Sequence, residues 1–227
     1  MLNQVRGGLI VSCQALPNEP LHSSFIMGRM ARAATEGGAV GIRANTPEDI
    51  AEIAKNTTLP IIGIVKRDYP DSPIYITPTL REIRELADSP CSMIAFDATD
   101  RPRPQGESLE AFFQAARAAA PGKLLMADIA TLDEAVHAAK MGFDCVSTTL
   151  MGYTAQSEGQ NIADDDFARL KAILAAVSIP VIAEGHVDTP AKARRCIELG
   201  AHAVVTGGAI TRPQQITKTF TDAIYAK

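Results

Sequence analysis

The 227-residue sequence contains no tryptophan, and aromatic residues make up only 5% of it. Stacking platforms for nucleic-acid bases are therefore not expected. Basic residues are not in excess either. The 22 Lys and Arg against 26 Asp and Glu leave a net charge of −4, with an isoelectric point near 5.6. A broad nucleic-acid surface needs the opposite sign. No apolar run approaches the roughly 20 residues that span a bilayer. The start, MLNQVRGGLIVS, lacks the longer apolar segment and cleavage site of a signal peptide. Nucleic acid and membrane are both excluded as partners on these grounds. Cys13, Cys91, Cys145 and Cys196 are scattered, with no CxxC pair, the pattern of a reduced, cytoplasmic protein with buried thiols. The four histidines show no HxH or HxxxH spacing, so neither a metal site nor a metal cofactor is expected.

What the chain does have is a repeating alternation. Apolar residues at 46% and charged residues at 21% suit a soluble globular protein, and the length suits one domain over 1–227. Eight β-rich runs recur: GLIVSC (8–13), AVGIR (39–43), PIIGIVK (60–66), SMIAFDA (92–98), KLLMADI (123–129), DCVSTTL (144–150), PVIAEG (180–185) and HAVVTGG (202–208). They read as near-continuous apolar runs, which marks strands of a parallel sheet covered on both faces. The pieces between them, such as LREIRELADS, LEAFFQAARAAA and FARLKAILAAV, place apolar residues three and four apart, as helices do. Thr46-Pro47 and Thr189-Pro190 are start signals, and Thr131 with Glu134 has capping-box spacing. A weak repeat, EGGAV, KMGFDCV and ELGAHAV, puts Gly between a helix end and the next strand. The fold class this predicts is α/β, a single (β/α)8 TIM barrel. A doubly wound open sheet is the rival, but no GxGxxG turn follows the first strand.

Barrels of this kind carry their chemistry at the C-terminal ends of the strands. Here those ends supply Gln14, Arg43, Lys66, Asp97, Asp128, Thr148, Thr149 and Glu184. Six ionisable or amide groups among them exceed what packing needs, since such groups are costly to bury unpaired. After the seventh and eighth strands come AEGHVDTP and TGGAITRP. Gly185, Gly207 and Gly208 let backbone N–H groups approach an anion. AITRP can begin a short extra helix, with Arg212 as a cation beside it. These loops are the usual phosphate site of the fold.

The motifs GLIVSCQALP, GAVGIRAN, PIIGIVKRDY, MADIAT, TTLMGYT, VIAEG and GGAITRP resemble the N-acylglucosamine-6-phosphate 2-epimerases, the bacterial N-acetylmannosamine-6-phosphate 2-epimerases, over nearly the whole chain. The loops at 71–77 and 155–166 lie outside these motifs, and no family residue is carried over onto them. The resemblance implies a cofactor-independent isomerase of sialic acid and amino sugar catabolism. Its substrate would be a phosphorylated N-acetyl amino sugar, and its assembly a homo-oligomer, with a dimer favoured. Inverting C2 requires removing the proton beside the C1 aldehyde of the open-chain sugar and returning one to the other face. The resemblance implies Lys66 as base. A lysine normally titrates near about pH 10.4, so burial or a neighbour such as Arg43 must lower it. Glu184 is expected as the partner acid–base, either for the opposite face of C2 or for the C1 and ring oxygens during ring opening. Asp128 either orients Lys66 or binds a hydroxyl, Arg43 holds the enolate oxygen or the acetamido carbonyl, and Gln14 holds the acetamido group or a hydroxyl. Tyr153, after the sixth strand, is expected either to cover the sugar or to pack.

His22 and the RPRP segment (101–104) are read as loop, and Asp164 to Asp166 as a solvated helix start favourable to the dipole there. Two rivals remain open. One is a Schiff-base aldolase acting on sugar phosphates, which shares the phosphate loop and a strand-end lysine. The other is a catalytically silent phosphosugar-binding protein.

Overall fold

A computed structural model describes residues 1–226. Eight parallel strands close into a barrel in chain order: β1 Leu9–Cys13, β2 Gly41–Asn45, β3 Ile61–Ile64, β4 Met93–Asp97, β5 Leu124–Asp128, β6 Cys145–Ser147, β7 Val181–Ala183 and β8 Ala203–Thr206. Seven fall inside a run expected from the sequence, and β2 runs two residues past the expected 39–43 to Asn45. The ring closes where Leu9 and Ile10 of β1 register with Val204 and Val205 of β8. Helices cover the outside, so each strand is apolar on both faces.

The two faces bury different sets. Ile10, Ile62, Ile64, Met93, Ala95, Met126, Cys145, Ile182, Ala203 and Val205 fill the barrel interior. The alternate residues, among them Val11, Ile42, Ile61, Val65, Ile94, Leu125, Val146 and Val204, face the helices. A short helix, α1 (Leu2–Val5), presents Val5 to the interior set from the N-terminal end.

The start signals act as expected. Thr46 accepts from the Asp49 N–H and caps α3 (Pro47–Asn56), and Thr189 accepts from Lys192 and caps α8 (Pro190–Glu198). Thr131 and Glu134 form a full capping box at α6 (Leu132–Met141). Thr79 and Glu82 form another at α4 (Leu80–Ala87). Such caps are each worth about 1 kcal/mol. The acidic start of α7 (Asp164–Ala176) differs from expectation. Asp165, Asp166 and Phe167 have φ of 51°, 53° and 61°, so the first turn is left-handed and no regular dipole end is presented. Asp166 is instead ion-paired with Lys171 and Arg195. Among the described residues no helix is long and apolar enough to cross a membrane.

Candidate active site

The period of two continues past the last apolar residue of each strand, and that decides which charges meet. On β3 the inward series Ile62 and Ile64 is continued by Lys66. The outward series Ile61 and Val65 is continued by Arg67, which turns away to ion-pair with Glu82 and with Glu85 at 3.1 Å. Lys66 lines a cleft of about 390 Å³ at the C-terminal mouth of the barrel, a size suited to a small ligand. Its backbone N–H donates to Asn45 Oδ1 at 2.8 Å, and it bridges to Ile76. Among the described residues its ammonium nitrogen has no hydrogen-bond or ion-pair partner. Burial, helped by the charges of Arg43 and Arg212, pushes its pKa down to about 8.

Across the ring, β7 lies four strands from β3 in either direction. Glu184 continues the inward series of β7, so it faces Lys66 over the cleft. Arg43 of β2, only 1% exposed, lies beneath them. Its Nη1 donates to Asp128 Oδ1 and to Glu184 Oε2, both at 3.0 Å, and its Nη2 donates to Asp128 Oδ2 at 2.6 Å. Burial alone would weaken the guanidinium, but the charges of Asp128 and Glu184 outweigh it and raise its pKa. Burial raises the pKa of Glu184, opposed by Arg43 and reinforced by Asp128. Two carboxylates sharing one cation compete for it, and the less well held of the two keeps a proton more readily.

Gln14, at the end of β1, donates from Nε2 to Ser12 Oγ at 2.8 Å. Its Oε1 is buried without a partner, an acceptor facing a cleft whose other groups include Lys66, Arg43 and Arg212. Beyond β7 and β8 the wall is formed by Gly185, Gly207 and Gly208. Gly185 has a φ of 85°, and a Cβ there would sit 3.0 Å from the Thr148 carbonyl, so no larger residue fits unstrained. The expected short helix is present as α9 (Gly208–Thr211). The Thr211 hydroxyl pins it to the Ser12 carbonyl at 2.8 Å. Arg212 follows, facing the cleft while ion-paired with Glu19 at 2.6 Å.

Of the expected residues, Gln14, Arg43, Lys66, Tyr153, Glu184, Gly185, Gly207, Gly208 and Arg212 line this one cleft. Asp128 is fully buried below it, bonded to Arg43 and Thr149. It holds Arg43 and does not reach Lys66. Tyr153 is 56% exposed and stacks on His186, with ring centroids 4.9 Å apart and planes within 2°. His22 donates from its Nδ1–H to the Ala15 carbonyl at 3.1 Å in its loop. The RPRP segment is a rim loop, yet Arg103 is buried. It donates to the Asp97 and Pro78 carbonyls and lies 3.9 Å from the centroid of Phe112.

Sequence reasoning missed Ser12, Tyr75 and His186, which also line the cleft. Ser12 and His186 each lie two residues from an expected residue, so continuing the strand alternation would have found them. Tyr75 belongs to the loop at 71–77, where the alternating Ile74 and Ile76 are both buried. That pattern was the available signal. His186 has a φ of 56°, and a Cβ on Gly152 would meet its Nε2 at 2.8 Å, so a glycine is needed for the stack to form. Among the described residues no group of three or more His, Cys, Asp or Glu is arranged to hold a metal ion.

A family profile described as "Putative N-acetylmannosamine-6-phosphate epimerase" matches residues 27–226. Relatives described as "Putative N-acetylmannosamine-6-phosphate 2-epimerase" include one from Enterobacter sp. (strain 638), 60% identical over 100% of this chain and 96% of that relative. Another, from Oceanobacillus iheyensis, is 59% identical over 97% of this chain and 99% of that relative. Among solved structures, the N-acetylmannosamine-6-phosphate 2-epimerase from Clostridium perfringens superposes with a TM-score of 0.93 at 57% identity, covering 98% of this chain and 96% of that one. A thiamine phosphate pyrophosphorylase from Pyrococcus furiosus, 17% identical with a TM-score of 0.61 over 99% of both chains, shares the fold alone.

Proposed function

The chain belongs to the N-acetylmannosamine-6-phosphate epimerase family, and we infer that it interconverts N-acetylmannosamine 6-phosphate and N-acetylglucosamine 6-phosphate by moving a proton between the two faces of C2. The observation that carries this reading is the placement of Lys66 and Glu184 on opposite strands of the ring, facing each other over one cleft. Inversion at a carbon needs one group on each face. A base on β3 and an acid on β7 supply that.

In the proposed step, neutral Lys66 takes the proton from C2 of the open-chain sugar, and the C2–H electron pair moves to make the C1–C2 enolate. Protonated Glu184 then delivers a proton to the other face of C2, the C1 carbonyl re-forms, and the enzyme is left with an ammonium and a carboxylate. Solvent exchange resets the pair, and the reverse reaction uses the same groups in swapped roles. Arg43 lends its charge to the enolate oxygen, an electrostatic contribution worth a few kcal/mol in sites of this kind. Gln14 binds the acetamido group through its unpartnered acceptor. Gly185, Gly207, Gly208 and Arg212 hold the phosphate, Arg212 being released in part from Glu19. Asp128 acts through Arg43, and Tyr153 on His186 screens the mouth from water.

The isomerisation is proposed to run in the cytoplasm as part of sialic acid and amino sugar catabolism. The four free, buried cysteines fit a reducing compartment. A homo-oligomer is proposed as well, most simply a dimer. The last helix, α10 (Pro213–Tyr225), buries none of its residues and exposes Phe220, Ile224 and Tyr225 at 67%, 70% and 76%. Such an apolar face on a terminal helix asks for a partner. Sedimentation of the wild type and of a Phe220→Asp, Ile224→Asp variant tests this, with a monomer expected only in the variant.

The activity is tested by proton NMR of N-acetylmannosamine 6-phosphate with the protein in D2O. The C2 proton signal should vanish as the gluco isomer grows, and Lys66→Ala should lose both effects. Unchanged wild-type spectra, or an imine trapped by borohydride, would replace this reading with the aldolase or the silent binding protein.

A further inference from the structure

One residue lining the cleft, Thr149, has no role in the chemistry above. Thr149 Oγ1 lies 2.7 Å from Asp128 Oδ1, 3.1 Å from Glu184 Oε2 and 2.9 Å from Ser147 Oγ. A hydroxyl has one proton and can give it to only one of these acceptors at a time. Arg43 Nη1 spans the same two carboxylate oxygens at 3.0 Å each. Asp128 and Glu184 are thus joined twice, once by a fixed cation and once by a hydroxyl that can turn.

Building on the reading of Glu184 as the partner acid–base, we propose that Thr149 is a positioning residue whose hydroxyl proton points to Glu184 while that carboxylate is ionised and swings to Asp128 when Glu184 is protonated. The two carboxylates are held unequally. Asp128 accepts from both terminal nitrogens of Arg43, so it keeps two donors whichever way the hydroxyl points. Glu184 has a single Arg43 nitrogen and otherwise depends on Thr149 and on Ser147 at 3.3 Å. A donor that follows the proton lets Glu184 change charge in a buried place without leaving an acceptor bare.

Arg43 from β2, Lys66 from β3 and Asp128 from β5 are the charged groups facing Glu184 inside the barrel. At the mouth it also sees Tyr153, His186, Asp188 and Arg212. Most of these act at longer range and on every charge in the cleft. Thr149 carries no charge and touches Glu184 and Asp128 directly, with Ser147 and the Arg43 guanidinium at 3.4 Å as its other neighbours, so its removal has a distinct signature. Ionised Glu184 loses a donor and binds its proton more tightly, while Lys66 is untouched.

The test is a titration of the ligand-free protein carrying 13C at the glutamate side-chain carboxyls, with the Glu184 signal assigned from Glu184→Gln. Thr149→Val should move its midpoint upward by about half a pH unit or more, Thr149→Ser should restore it, and Ser147→Ala should move it less. If the Val variant fails to fold, Thr149→Ala removes the same donor and carries the same expectation. A midpoint equal to wild type in a folded variant overturns the proposal. In turnover, the acid limb of kcat should shift with the midpoint while KM stays within about twofold and the alkaline limb stays in place. The reaction is scored separately. A moved midpoint without epimerisation by wild type removes the assigned activity and leaves the hydroxyl switch, whereas epimerisation with an unmoved midpoint removes the switch alone.

Discussion

Asp97 and Asp128 end neighbouring strands, β4 and β5, in direct register. Both are fully buried and both face an arginine, yet they belong to different kinds of structure. Asp97 finds its partners locally, in the backbone and side chain of Thr99 and in Arg101 one turn of chain away. Arg103 donates to its carbonyl. That corner is closed on itself, and none of its residues lines the cleft. Asp128 takes its arginine from β2, on the far side of the barrel, and the same guanidinium reaches Glu184. A strand-end carboxylate becomes part of the working site when its partner also touches a group in the cleft. Position at the strand end does not decide this by itself.

Exchanging each carboxyl for an amide breaks the comparison most sharply. Asp128→Asn removes a charge that holds Arg43 and biases Glu184 toward its protonated form. We expect kcat to fall on the order of 10²- to 10³-fold, the range in which misplaced acid–base groups act. Asp97→Asn should cost about 1–3 kcal/mol of stability, as for a buried charged hydrogen bond, with kcat reduced less than tenfold. Steady-state epimerisation and chemical denaturation of both variants measure this. Equal losses of kcat would mean that the β4 corner reaches the chemistry as well.

The pH profile sharpens the same contrast, because it reads the cleft and is blind to the closed corner. In either direction the proposed reaction needs one proton shared between Lys66 and Glu184. The rate should therefore fall on the alkaline side around about 8, where Lys66 loses its proton. It should also fall on the acid side, where Glu184, its pKa raised by burial, takes one up. Each limb should approach tenfold per pH unit. A profile that only rises through about 8 and then stays flat would assign both proton transfers to Lys66.

The barrel was legible because parallel strands covered on both faces leave unbroken apolar runs, and Thr-Pro and Thr-x-x-Glu mark the helix starts between them. The strand-end residues were legible for the same reason. The pairing among them was not. Arg43 and Asp128 are 85 residues apart in sequence, and only closure of the ring says that β2 and β5 meet beneath the cleft. Arg103 looked like rim because its neighbours are prolines, but two backbone carbonyls and the Phe112 ring hold it inside. Tyr75 was set aside with a loop that in fact folds back along β3, through the Lys66–Ile76 bridge.

A smaller effect separates Lys66 from ordinary buried charge. Its pKa is about 8 in the fold against 10.5 for a free lysine, so the folded state holds its proton less tightly than the unfolded state does. The resulting cost is fully present below about 8, shrinks as pH rises toward 10.5 and is absent above it. Lys66→Met should therefore stabilise the protein at pH 7, by about 1–3 kcal/mol, while abolishing turnover. The gain should disappear above pH 10.5. A loss of stability at pH 7 would mean that the ammonium is better compensated in the fold than its surroundings indicate.

The smallest effect is expected one residue further on. Arg67 follows Lys66 but points out of the barrel, where Glu82 and Glu85 hold it from α4. Arg67→Met leaves Glu82 its hydrogen bonds from Thr79 and Tyr69, so the ion pairs with Glu82 and Glu85 are both lost without stranding the buried carboxylate. Exposed pairs contribute about 0–1 kcal/mol, and the full burial of Glu82 puts the combined loss at the upper end, about 1 kcal/mol. Turnover should stay within about twofold of wild type. A large fall in kcat with unchanged stability would mean that Arg67 fixes the angle at which β3 delivers Lys66. The outer face of that strand end would then count as part of the site, and the line drawn between the β4 corner and the cleft would move outward by one residue.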